Sequence, residues 1–205
     1  MVKEVRLKKS KKNFSSFTLK EAMKQLHITD LYAWEINAPS LQPSDFFQQR
    51  LKRLEAFDLQ SYERSKELLI DAFCEEAIQT FSRLKIWKGA GLEGENTIGS
   101  ADYLIAERKR YLEAPLLCIV EAKKDDFEQG LAQCLVEMQA CQWQNAQIDQ
   151  AIDILGIVTN GSLWQFYKLL VSGQVYETLP YGLNDLPAIL GALHFVFQEC
   201  EQNLN

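Results

Sequence analysis

The sequence predicts an α/β fold in which helices flank a mixed central sheet, and three observations carry that prediction. Residues 61–81 place apolar side chains at 68, 69, 72, 73, 77, 78 and 81, the three- and four-residue spacing of an amphipathic helix. After residue 84 the periodicity changes to short β-like runs, ending in "LLCIV" at 116–120, an apolar, β-branched stretch suited to a buried strand. In "ILGIVTNGSLWQFYKLL", Asn160-Gly161 separates two apolar, aromatic runs, a strong hairpin signal that asks for positive φ at both central positions.

The elements follow in chain order. Thr18-Leu19-Lys20-Glu21 has capping-box spacing and opens a helix over roughly 19–26, after which "INAPSLQPS" with its two prolines breaks regular structure. A second helix is expected from Ser44 to about Gln60. Residues 1–60 thus read as a basic tail and helical N-terminal extension, an accessory to a domain spanning 61–205. The helix of 61–81 should pack on the sheet. Strands near 84–88 and 101–107 form a hairpin around Gly89, Gly91, Gly94 and Gly99. The buried strand at 116 comes next, then Asp125 and Asp126 as candidate N-caps, and a helix to about Asn145. The Asn160-Gly161 hairpin, a short strand near "QVYETL" and an amphipathic helix over 185–201 complete the order.

Composition narrows the function classes. The chain has 205 residues, 47% of them hydrophobic, enough for one well-buried core. No apolar run approaches the roughly 18 to 20 residues that span a bilayer, and the N-terminal segment lacks the apolar stretch of a signal peptide, so the expected location is the cytosol. The five cysteines sit in apolar contexts without a CxxC pair and read as reduced core residues. With only His27 and His194 in the chain, a histidine-rich metal site or a Ser-His-Asp triad has little to draw on, and His194 reads as a helix-packing residue. A net charge of -6 argues against a broad nucleic-acid-coating surface. Residues 1–24 nevertheless hold eight Lys/Arg against two acids, which is either a solvated tail or a phosphate-contacting arm.

The glycines at 89, 91 and 94 match GxGxxG, but a dinucleotide site needs them to open a helix that holds a pyrophosphate. Here they run into "ENTIGSADYLI", which is β-like and turn-rich, so no nucleotide cofactor is expected.

The chemistry is expected at the end of the buried strand, where "LLCIV" runs into "EAKK". Residues two apart on a strand share a face, so Glu121 and Lys123 project together with Leu117 and Ile119, while Val120 and Ala122 face the other way. Burying an unpaired carboxylate and ammonium costs several kcal/mol, so the pair demands a mutual contact, a metal or a wet cleft. Asp102 lies on the preceding strand, where antiparallel pairing could bring it beside Glu121. Two carboxylates with little imidazole nearby make a hard, oxygen-rich site of the kind Mg²⁺ or Mn²⁺ accepts.

This arrangement, Asp102 with Glu121-Ala122-Lys123, resembles the PD-(D/E)xK nuclease superfamily. Its restriction-endonuclease-like core is a helix, a three-strand meander, a helix and a further strand, the order read above for about 62–170. Within that superfamily, "GIVTNGSLWQFYKL" is most similar to the strand after the site in the nuclease domains of type I restriction enzyme motor subunits. Two departures stand out. Ser100-Ala101-Asp102 replaces the Pro-Asp form, and Glu137 stands where some members carry the tyrosine of Gln-x-x-x-Tyr on the following helix. Gln129 and Gln133 share one face of that helix. Gln133 is the candidate for a site-facing amide, against the alternative of a solvent-facing one. Many members also place a carboxylate on the first helix; Asp71 and Glu75 both qualify and Glu75 is favoured, against a plainly solvated helix face.

The resemblance implies a metal-dependent endonuclease that hydrolyses DNA phosphodiester bonds, and a restriction or DNA-processing system is the context it suggests. Asp102, Glu121, the Ala122 carbonyl and Glu75 would hold Mg²⁺ or Mn²⁺, and Lys123 and Gln133 would serve the attacking water. The N-terminal tail and Arg108, Lys109 and Arg110 would contact phosphates, and a homodimer or partner subunit is a family-level expectation. The alternative is a catalytically silent nuclease-fold module for binding or assembly, which the acidic charge favours. A third reading is a structural domain in which Glu121 and Lys123 merely pair with helix residues.

Overall fold

A computed structural model describes residues 10–59, 61–123 and 126–204. The strands are β1 (Lys12–Asn13), β2 (Tyr32–Ala33), β3 (Leu84–Glu93), β4 (Thr97–Glu107), β5 (Leu116–Ala122), β6 (Ile154–Thr159), β7 (Leu163–Leu169), β8 (Val175–Glu177) and β9 (Tyr181–Gly182). They join in one sheet in the order β1-β4-β5-β6-β7-β8-β2, with β3 also beside β4 and β9 beside β7. The helices are α1 (Leu19–Gln25), α2 (Asp45–Leu54), α3 (Glu63–Ile78), α4 (Phe127–Ala146) and α5 (Leu186–Gln202).

The sheet is mixed, as the sequence predicts. β3, β4 and β5 form an antiparallel meander, α4 carries the chain across to β6, which pairs parallel to β5, and β7 returns antiparallel. Such a sheet is covered on both faces. One face packs an aromatic core of Phe47, Phe73, Trp164, Phe166 and Phe197 beneath α2, α3 and α5. The other packs Leu104, Ile119, Leu135, Met138 and Val158 beneath α4 and α1. α4 lies close to the sheet because Gly156 has no Cβ, which would meet Met138 Sδ at 2.5 Å. Twelve of its residues are buried, so it is a core helix with polar groups that must be answered inside.

Several expectations are met in detail. The capping box at Thr18 and Glu21 closes in both directions, and Asp126 caps α4 by accepting from Gln129 N at 2.9 Å. Asp125 lies outside the described residues. All five cysteines are buried and free. His194 packs on Phe81 with ring centroids 4.8 Å apart. Gly89 and Gly91 lie within β3, so these glycines open no helix.

Other expectations need correction. The second helix ends at Leu54, not near residue 60. The hairpin strands are longer than the sequence suggests, since β3 runs through two glycines to Glu93. The segment before residue 60 is not an accessory: β1 pairs with β4 and β2 with β8, and Phe14, Phe17, Ala22 and Leu26 join the second core. At the Asn160-Gly161 turn only Gly161 has positive φ. Asn160 instead supports the turn through its side chain, whose Oδ1 accepts from Ser162 N and Leu163 N. Finally, a bulge between Ile105 and Ala106 shifts the β4–β5 register, and Leu117 joins the first core while Ile119 faces the second. No helix among the described residues is long and apolar enough to cross a membrane.

Candidate active site

The end of β5 is where charge enters the core. The ladder ends at Ala122, yet the backbone keeps its course for one more residue, because Lys123 N donates to Thr159 O of β6 at 2.8 Å. Alternation past the bulge therefore holds: Val120 and Ala122 enter the core beneath α3, whereas Ile119 and Glu121 face α4. Asp102 stands next to Tyr103, which pairs with Val120, and its Oδ2 accepts from Ala122 N at 2.9 Å. The carboxylate of β4 thus braces the turn-off of β5.

Two features seat α4 on this strand. At one end Asn145, fully buried, accepts from Leu116 N at 2.7 Å and donates to Leu116 O at 2.8 Å, pinning the helix to the start of β5. At the other end Gly130 leaves room for the stem of Lys123, whose Cγ would lie 2.9 Å from a Cβ at that position. Between these anchors Gln133 and Glu137, one turn apart, point toward Glu121 and Lys123.

The resulting cluster is continuous. Lys123 Nζ lies 2.7 Å from Glu121 Oε1 and donates to Gln133 Oε1 at 3.2 Å, and Gln133 Nε2 donates to Glu137 Oε1 at 2.9 Å. Glu121 and Glu137 are wholly buried, while the Lys123 side chain is 19% exposed and forms the route to solvent. Apart from the ion pair with Lys123 and the neighbouring Glu137 carboxyl, no group among the described residues donates a hydrogen bond to either Glu121 oxygen or to Glu137 Oε2. Buried polar atoms in this condition are uncommon and call for an explanation.

Electrostatics magnify the point. Burial, then the charge of Asp102, pushes the Glu121 carboxyl up to about 8, although Lys123 and a hydrogen bond with Glu137 act in the opposite direction. Glu137 is raised well above the usual carboxylate range, by burial and then by the charge of Glu121. With one lysine against this carboxyl pair, the site takes up a proton or a cation.

The structure thus brings together Asp102, Glu121, Lys123 and Gln133 and adds Glu137. The sequence does contain a signal for Glu137, the four-residue spacing through Gln129, Gln133 and Glu137. What it cannot show is that α4 is buried along the Gln133–Glu137 side.

The first-helix acids are elsewhere. α3 packs on the opposite sheet face, where Asp71 accepts from Tyr103 OH at 2.8 Å and pairs with Lys88 at 3.0 Å. Glu75, the favoured candidate, pairs with Arg50 of α2 at 3.4 Å. The Arg108–Arg110 group follows β4 at the end next to the start of β5, and Lys109 is held there by Glu107 and Glu113, each at 2.7 Å. At about 3.3 Å per residue that end is roughly 20 Å from Glu121. Of the basic tail, residues 1–9 lie outside the described residues, while Lys11 pairs with Glu93 and Lys12 with Glu21.

Among the described residues no three His, Cys, Asp or Glu side chains form a ready-made metal cage. The donors at the β5 end nonetheless fit a hard cation in kind: they are oxygens, they are buried, and three of them lack a donor.

Comparison with known proteins gives little beyond this geometry. No family model matches the chain. A 54-residue stretch, 26% of the chain, is 43% identical to Crinkler effector protein 5 of Phytophthora infestans. The match covers 14% of that protein's length.

Proposed function

We propose that this protein is a metal-dependent phosphodiester hydrolase acting on DNA, built as a PD-(D/E)xK nuclease. The observation that carries the reading is the convergence of Asp102, Glu121, Lys123 and Gln133 at one strand end, on the α4 side of a helix, meander, helix, strand core. Glu121 is fully buried with one ion pair, to Lys123, and receives no other hydrogen-bond donor among the described residues beyond the neighbouring Glu137 carboxyl, which leaves acidic oxygens available to a cation.

In this reading Asp102, Glu121 and the Ala122 carbonyl would hold one or two Mg²⁺ or Mn²⁺ ions, whose chemistry there would be water activation and charge stabilisation at the phosphoryl group. Asp102 holds the Ala122 amide, and the peptide that carries the Ala122 carbonyl is held through Lys123 N, which donates to Thr159 O at 2.8 Å. Lys123 is partly exposed, and it places a proton donor where substrate arrives. Gln133 orients Lys123 by accepting from its ammonium at 3.2 Å, while Glu121 holds the same group at 2.7 Å.

The depth of Glu121 and Glu137 favours a second reading, in which the fold serves binding or assembly and its charged cluster stays closed. Nicking of supercoiled plasmid in Mn²⁺ or Mg²⁺ separates the two. The nuclease reading expects nicking that is lost in Lys123→Ala, with the variant's circular dichroism unchanged. Equal nicking by the variant, or none by the wild-type protein, selects against it.

A further inference from the structure

The resemblance accounts for Asp102, Glu121 and Lys123, and it asks for an acid from the first helix. The structure directs both first-helix candidates to other partners, Asp71 to Tyr103 and Lys88, and Glu75 to Arg50. It offers instead a carboxylate from the opposite layer. Glu137 is fully buried, faces Glu121 from α4 and is fixed through Oε1 by Gln133, while its Oε2 has no hydrogen-bond donor.

We infer that Glu137 is a cation ligand, and that a divalent ion binds between Glu121 and Glu137 on the oxygens that lack donors. The inference rests on the proposed function and changes its ligand set, adding an acid from the helix after the motif in place of one from the helix before it. Three points support it. The two carboxyls are joined by one short chain of contacts, Glu121 to Lys123 to Gln133 to Glu137, which sets both in the same buried site. Asp102 already spends an oxygen on the Ala122 amide, which leaves the α4 side as the open source of a further acidic oxygen. Finally, the two carboxyls when ionised outnumber the Lys123 ammonium among the described residues of the cluster, and a divalent ion in place of their protons balances that charge.

The geometry also gives Gln133 a second duty. Its amide donates to Glu137 Oε1 at 2.9 Å and so fixes that carboxyl, as partners of metal-binding carboxylates generally do.

Calorimetric titration of the full chain with MnCl₂ at pH 8 tests the inference. The wild-type protein should bind Mn²⁺, Glu137→Gln should weaken binding at least tenfold, and Glu75→Gln should match the wild type. Glu137→Gln keeps the side-chain shape and removes a buried charge, so its melting temperature should not fall. If it does not fold, Glu137→Asp is measured instead, with the same expected loss. Undiminished binding by the Glu137 variant, beside a wild type that binds, overturns the ligand assignment and leaves the proposed hydrolase standing. A wild type that binds no Mn²⁺ overturns both.

Discussion

Two sets of carboxylates flank the β4–β5 pair, and they differ in how their charge is answered. Toward α3, Glu67 and Asp71 meet Lys88 Nζ at 2.9 and 3.0 Å, and Tyr103 OH adds a hydrogen bond to Asp71. These acids keep side-chain exposures of 28% and 25%, so water shares the work. Toward α4, Glu121 and Glu137 share one lysine, see no solvent and retain three oxygens without donors. The residue types are the same on both sides. What distinguishes the sides is unmet hydrogen-bonding capacity in a buried cluster, which is costly to maintain and under the proposed function belongs to a cation site on the α4 side.

The largest test of this contrast is thermal stability against pH. Glu121 is pushed up from an ordinary carboxyl value to about 8, so the folded state holds its proton more tightly than the unfolded chain. Such a group contributes stability at low pH that is lost as pH rises from about 4.5 to about 8. Glu121→Gln should therefore be more stable than the wild type at pH 8 in metal-free buffer, by on the order of 3 kcal/mol, and the gain should shrink toward pH 5. A gain that is the same at both pH values would mean that Glu121 is adequately paired, and the contrast would fail.

A second, somewhat smaller effect is expected at the seat of α4. Asn145→Ala removes both hydrogen bonds to Leu116 and leaves a buried amide and carbonyl unanswered, which should cost about 2 to 3 kcal/mol in denaturant unfolding. The loss should not vary with pH between 5 and 8, since no titrating group is removed. It should also weaken Mn²⁺ binding, because the helix that carries Gln133 and Glu137 loses its anchor.

The satisfied side should respond least. Asp71→Asn keeps an acceptor for Tyr103 OH and loses only a partly exposed ion pair, so the expected cost is about 1 kcal/mol or less. Its Mn²⁺ affinity should equal that of the wild type. Weakened binding in this variant would bring the first helix back into the site and erase the distinction between the two faces.

Much of this was legible before the coordinates. The 3.6-residue pattern of α3, the turn signal at Asn160-Gly161 and the abrupt shift from "LLCIV" to a helical run locate the principal elements, because local propensity and burial agree there. The alternation that puts Glu121 on the α4 face is likewise a property of the strand itself. The short edge strands β1, β2 and β9 are not legible, since two-residue strands carry no periodicity of their own and exist through pairing with longer neighbours. Nor is the sheet face that each helix covers: Glu75 looks as available as Glu137 in the sequence, and only packing separates them. The bulge at Ile105/Ala106 is hidden for the same reason, being an adjustment between two strands rather than a feature of either.

The central claim is that the carboxylates at the end of β5 exist to hold a cation, and electron paramagnetic resonance of Mn²⁺ addresses it without relying on catalysis. On titration at pH 8 the free Mn²⁺ signal should be depleted by wild-type protein and by Asp71→Asn, and should remain undiminished with Glu121→Gln. If the wild type leaves the free signal untouched, or if Glu121→Gln depletes it as well as the wild type does, the buried acids do not hold a divalent ion and the account is wrong.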